Sequence, residues 1–233
     1  MRGWSVEAKL DDIAKLVIED AHSNDPAIVC QALKQLADSM KGPNMTSATK
    51  SRQEAYETGG LTTTVAIMKK WLHEEAVQLQ GCRLIANMMS ATKEELMTYI
   101  GIFSKIGGAE VILSAFRTYP ESLELQRAGM AAFFNVLSHP EKDDAKKVAR
   151  RFVNDLGGIQ LVLRTMRSYP TDPKVQKTAC LLLSNLCSAS AEFQSGLRQS
   201  GAISAVGNAI DYHREDEEIQ KWGFAFLKKV IPK

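Results

Sequence analysis

Apolar positions recur along this chain at intervals of three and four residues, the period of a helix buried along one face. The clearest run spans 175–187, where Val175, Ala179, Leu182, Leu183 and Leu186 share one arc and Asn185 lies on the other side. Counted from Asn185 as a reference, the template returns around Asn87 (Val77, Gly81, Leu84, Ile85, Met88) and around Asn135 (Leu125, Gly129, Ala132, Phe133, Val136). It returns again around Lys229 with Ile219, Gly223, Phe226, Leu227 and Val230, and more weakly around Asp38 with Ile28, Ala32 and Leu36. Six residues before each reference stands Ala or Gly, and nine before it, in four copies, stands Gln78, Gln126, Gln176 or Gln220. Glycine inside a helix costs about 1 kcal/mol against alanine. Three of them in one row therefore predict a close helix crossing.

The reference residues lie 49, 48, 50 and 44 positions apart. A period in this range that holds only helical patterns predicts an all-α solenoid built from helix pairs or triplets. A second signature has the same period. Gly59-Gly60, Gly107-Gly108, Gly157-Gly158 and Ser200-Gly201 each precede an amphipathic run of about a dozen residues. Eleven residues past the second member of each pair stands an aromatic, Trp71, Tyr119, Tyr169 or Tyr212, expected to plug the corner between two helices. Upstream, Leu10, Ile13, Leu16 and Val17 predict a helix over 6–22; a helix over 26–40 and a connecting helix near 47–57 follow. The expected organisation is a single repeat domain over 1–233. It has a partial repeat at about 6–42 and four repeats ending near 89, 137, 187 and 231.

Composition narrows the function without choosing one. The chain has 233 residues, 45% hydrophobic and 24% charged, with a net charge of +2, and no window resembles a membrane span or a secretory signal. Cys30, Cys82, Cys180 and Cys187 lack paired metal-ligand spacing, and Cys82 and Cys180 share one repeat position, so they read as packing residues. Free thiols without a signal favour a reducing compartment, the cytoplasm or alternatively the nucleus. His22, His73, His139 and His213 stand at no ligand spacing, and the glycine pairs lack the Lys-Ser/Thr of a phosphate loop. The expectation is a non-enzyme with no metal and no cofactor.

Over roughly residues 8–231 these patterns resemble the armadillo repeat family, which includes β-catenin and importin-α. The resemblance is closest in 188–231, 158–186 and 108–137. It implies a right-handed α-solenoid of three-helix repeats whose third helices line a concave groove. It also implies that asparagines at the positions of Asn87, Asn135 and Asn185 hydrogen-bond the backbone of an extended peptide. The tryptophan that nuclear-cargo receptors of the family carry four residues earlier is replaced by Arg83, Ala131 and Leu181, which argues against that role.

Positions four, seven, eight and eleven before each reference face away from the core. They hold Lys34, Arg83, Arg127, Lys174, Lys177, Lys221 and Trp222, with Lys229 at the reference itself and Glu124 and Glu218 as acidic exceptions. The expected function is a scaffold that binds an acidic or phosphorylated peptide segment in this groove. Two alternatives are docking of a folded partner on convex helices or open ends, and, less favoured, binding of nucleic acid by the basic strip. The C-terminal edge, with Phe224 and Phe226, is the candidate surface for self-association.

Overall fold

Side-chain caps start several helices where the hydrophobic period begins. In the computed structural model, which describes residues 24–41, 45–139 and 143–231, Asp25 accepts from Ala27 N at 2.9 Å and opens α1 (Pro26–Ser39). Next come α2 (Met45–Glu57), α3 (Gly60–Lys70), α4 (Glu75–Met89) and α5 (Lys93–Ile106), the last opened by a reciprocal Thr92–Glu95 capping box. Then follow α6 (Gly108–Thr118), α7 (Leu123–Val136), α8 (Asp143–Arg150) and α9 (Gly158–Ser168). The remainder is α10 (Pro173–Ala189), α11 (Ala191–Gln199), α12 (Ala202–Tyr212) and α13 (Glu217–Val230), whose caps are Asp172, Ser190, Gly201 and Asp216. The described residues contain these thirteen α-helices and no strand. The expected helix over 6–22 lies outside them.

Two compact units divide the chain, 1–111 and 112–233. In the first, α1 packs on α4, α3 on α4, and α3 on α5. In the second, α10 packs between α7 and α13, while α9 lies against α10 and α12, and α12 against α13. The units share one grammar, in which a third helix (α1, α4, α7, α10, α13) carries the recurrent apolar template.

In α4, α7 and α13 the row of small residues marks where the third helix crosses the second helix of its own repeat. A Cβ on Gly81 would meet Met68 Cγ at 2.5 Å, one on Gly129 would meet Phe116 Cε1 at 2.2 Å, and one on Gly223 would meet Ile210 Cγ1 at 2.7 Å. The glycine pairs combine two separate demands. Gly59, Gly107, Gly157 and Gly201 hold positive φ of 65–89°, so they turn the chain into α3, α6, α9 and α12. The following glycine is needed for space, since a Cβ on Gly108 or Gly158 would lie 2.2 or 2.5 Å from the ring of Phe103 or Phe152.

Three expectations change in detail. In the last repeat the turning residue is Gly201 and its follower is Ala202, so the corner position falls on His213, one residue beyond the expected Tyr212. Tyr212 is 61% exposed. The weak first copy buries Val29, Ala32, Leu33, Leu36 and Ala37, because its covered face is the one turned to α4, and Ile28 is exposed. Phe226 is fully buried, which leaves Phe224 as the exposed aromatic of the C-terminal edge.

The long spacer before α9 is taken up by α8 and a π-helical turn over Arg151–Asp155, closed by Leu156 N to Arg151 O at 2.9 Å. Burial pushes the Cys82 and Cys180 thiols up to about 12 and that of Cys187 to about 11, so at neutral pH they are uncharged core groups.

Candidate peptide groove

The reference row is half-buried at Asn87, Asn135 and Asn185, but its members do different work. Asn87 donates Nδ2 to Ala37 O at 2.8 Å, stapling α4 to the end of α1. Lys229 stands in the same register on α13. It donates to Ser184 O at 3.2 Å, Ser184 Oγ at 3.0 Å and Ser188 Oγ at 2.8 Å, so its ammonium staples α13 to α10. Asn135 is also engaged within the chain. Asn185 has no side-chain hydrogen bond among the described residues, so its amide donor and acceptor are both unused there.

The charged strip divides in the same way. Arg127 on α7 donates Nε to Asp172 Oδ1 at 3.2 Å, pairs through Nη2 with Asp172 Oδ2, and pairs with Glu124 Oε1 at 2.5 Å. Its hydrogen bond to Asp172 leads the causes that raise the Arg127 pKa, so this guanidinium is committed to the helix cap rather than held open. Lys174 and Lys177 on α10 have no ion pair among the described residues. Lys221 lies 3.9 Å from Glu218 Oε1 and 5.0 Å from the Trp222 ring centroid. The Trp222 indole N–H is buried and finds no acceptor among the described residues. In the first unit Arg83 is half-buried and engaged, and Lys34 is exposed. The row four before the reference is Ala131, Leu181 and Ala225 in the second unit, which gives that strip no aromatic shelf.

Asp172 makes this region pH-sensitive. Burial acts to raise its carboxyl, but the hydrogen bond from Arg127 and the Val175 amide together outweigh that and hold it below 3.8. A depressed carboxylate contributes stability above its unfolded value, and the contribution is lost as pH falls through the folded one. Asp172→Ala is therefore expected to cost about 2 kcal/mol at pH 7, from a lost cap and a lost, partly exposed ion pair. Urea midpoints should show the gap to wild type narrowing as pH drops below 3.8.

The recurrent glutamines have a role that spacing alone did not disclose. Each sends Nε2 to two carbonyls at the end of the preceding second helix: Gln78 to Met68 O and Trp71 O, Gln126 to Phe116 O and Tyr119 O. Gln176 reaches Met166 O and Tyr169 O, and Gln220 reaches Ile210 O and His213 O. Corner residues link successive repeats as well, with Tyr169 OH on Pro120 O at 3.3 Å and His213 Nε2 at 2.8 Å from Pro170 O.

No family model matches the sequence, and no curated protein is similar to it. Among solved structures, a designed armadillo repeat protein in complex with the peptide (KR)4 superimposes with a TM-score of 0.73 at 19% identity, covering 94% of this chain and 82% of that one. Another designed armadillo repeat protein matches with a TM-score of 0.69 at 16% identity, over 96% of this chain and 100% of that one. The fold is the armadillo-type repeat solenoid. An engineered protein matches with a TM-score of 0.74 at 23% identity over 94% of this chain, which spans 47% of the engineered protein's length. Against this armadillo frame the third helices α7, α10 and α13 are the ones that carry the charged strip of the second unit. No single helix among the described residues is long and apolar enough to cross a membrane.

Proposed function

We propose that this armadillo-type chain is a non-catalytic binding scaffold that holds an extended acidic or phosphorylated peptide along α10 and its neighbours. The observation that carries the proposal is on α10. Asn185, whose amide has no partner among the described residues, shares a helix face with Lys177 and Lys174, which have no ion pair among them. An amide can satisfy a peptide group with one donor and one acceptor, and two uncompensated ammonium groups on the same face favour carboxylate or phosphate side chains. Without an aromatic shelf at Ala131, Leu181 and Ala225, selection rests on charge more than on shape. The designed protein bound to (KR)4 shows that a chain of this fold can hold a peptide, there a basic one. Glu124 and Asp172 beside Arg127 make the strip a poor match to a continuous phosphate backbone.

The test uses dodecapeptide arrays of graded net charge and fluorescence polarisation of the retained sequences. Asn185→Ala should weaken acidic and neutral peptides alike by about fivefold, near 1 kcal/mol. Lys174→Glu combined with Lys177→Glu should weaken acidic peptides by more than tenfold and leave neutral ones near their wild-type affinity. Arg127 is unsuited to this test, because its reversal would break the Asp172 pair and so change stability together with binding. No preference for acidic peptides, or binding indifferent to the double reversal, would refute the groove and favour a folded partner on another face.

A further inference from the structure

We propose that the cavity between α9 and α12 is a binding site for a small aromatic carboxylate whose ring carries a hydroxyl or N–H donor. The cavity holds about 200 Å³, and the repeat register explains its origin. One repeat earlier, Gln126 sends Nε2 to the corner carbonyls while its Oε1 accepts from Thr165 Oγ1 at 2.6 Å, which ties α9 to α7. Gly158 corresponds to Ala202, so the counterparts of Leu161 and Thr165 on α12 are Ala205 and Ala209. Both alanines line the cavity, which is the space their shortened side chains leave. The same change alters the hydrogen bonding. Gln176 is 2% exposed and lines the cavity; its Nε2 is committed to Met166 O and Tyr169 O, and its Oε1 accepts no hydrogen bond among the described residues. Ala209 stands where a threonine hydroxyl would donate, so the buried amide oxygen faces the cavity without a donor.

The chemistry of the walls selects the ligand. A buried amide oxygen calls for a donor, so the inner end of the ligand carries a hydroxyl or N–H in the place of the Thr165 hydroxyl. Its body is apolar and flat, because Met166, Pro170 and the two alanines form the walls and the Tyr212 ring, 61% exposed, offers a face for stacking. The volume is below the ~300 Å³ of the smallest drug-sized pockets, which suits a single ring system. The outer end is anionic. Arg167 lines the cavity, is exposed, and has no hydrogen bond or ion pair among the described residues, whereas its counterpart Arg117 is committed to Leu156 O. Asn208, also exposed and without a side-chain hydrogen bond among the described residues, adds an amide donor for a carboxylate oxygen. The guanidinium disfavours a ligand whose donor is an ammonium group. None of Asn185, Lys174 and Lys177 lines this cavity, so it is separate from the groove proposed along α10.

Amide NMR titration of the whole chain with para-hydroxyphenylpropionate should shift resonances of α9, α12 and the start of α10, with a dissociation constant of roughly 0.1–1 mM for a one-ring ligand. Phenylpropionate, which lacks the donor, and para-hydroxyphenylpropionamide, which lacks the charge, should each bind about tenfold more weakly. Ala209→Thr gives Gln176 the hydroxyl that Gln126 already has, and should abolish binding without lowering the thermal midpoint. Arg167→Ala, at an exposed site, should reduce the carboxylate to the affinity of the amide and leave the amide itself unaffected. No binding of any probe, shifts centred outside these three helices, an equal affinity for phenylpropionate, or binding that survives Ala209→Thr would each overturn the proposal.

Discussion

Gly129→Leu is expected to destabilise the second unit by about 3 kcal/mol, the upper end of what overpacking a core costs, read as a lower urea midpoint. Even a bare Cβ at this site would sit 2.2 Å from Phe116 Cε1, 2.9 Å from Cζ and 3.1 Å from Ile112 Cγ2. The ring has little room to yield: Phe116 is 1% exposed and stacks edge-on against Phe133, which in turn packs 4.6 Å from Phe152. Gly81→Ala should cost less than Gly129→Ala, because the obstacle there is the flexible thioether of Met68. Gly207→Ala on α12 serves as the opposite control. Nothing lies within 4 Å of its Cβ position, so the gain in helix propensity should stabilise the protein by about 0.5–1 kcal/mol. Equal effects at Gly129 and Gly207 would mean that the crossing of α6 and α7 is not as tight as described.

The contrast between those two glycines shows what the amino-acid pattern can and cannot carry. A close crossing repeats with the period of the fold, so Gly81, Gly129, Ala179 and Gly223 line up in the sequence and the crossing is legible before any coordinate is known. Glycine alone is ambiguous, because it serves both positive φ and close approach. In three repeats the two needs produce Gly-Gly, but the last satisfies them with Gly201 and Ala202, so aligning glycine with glycine displaces the register by one and puts Tyr212 where His213 belongs. Contacts made through space across a repeat leave no such trace. Arg127 and Asp172 are 45 positions apart, as are Lys229 and Ser184, and nothing local marks either as a partner. The candidate groove was therefore legible as a set of positions on one face, and illegible as a division between residues spent on the scaffold (Asn87, Arg127, Lys229) and residues left open (Asn185, Lys174, Lys177).

The second large effect is expected at Gln176, where methionine should destabilise by about 3 kcal/mol while conserving length and packing volume. Gln176 is 2% exposed, and its Nε2 lies 2.9 Å from both Met166 O and Tyr169 O. Met166 O lies in the last turn of α9, where helical hydrogen bonds run out, while Tyr169 O, at the C-cap, also accepts from Asp172 N at 3.2 Å. For Met166 O the usual donor four residues on would be Pro170, which has no N–H, so the glutamine supplies from the next helix the bond that the proline withholds. Phe116 O stands in the same relation to Pro120 and Gln126. The proline thus sets the corner, and the glutamine removes the cost of a buried carbonyl left without a donor. The repeat around Gln220 differs at one point, since Arg214 lies four residues beyond Ile210 and has an N–H. Gln220→Met should accordingly cost less, about 1 kcal/mol. Chemical denaturation of the two methionine variants decides the matter: a cost at Gln176 no larger than that at Gln220 would show that packing, and not the supply of donors to the proline corners, keeps glutamine in this row.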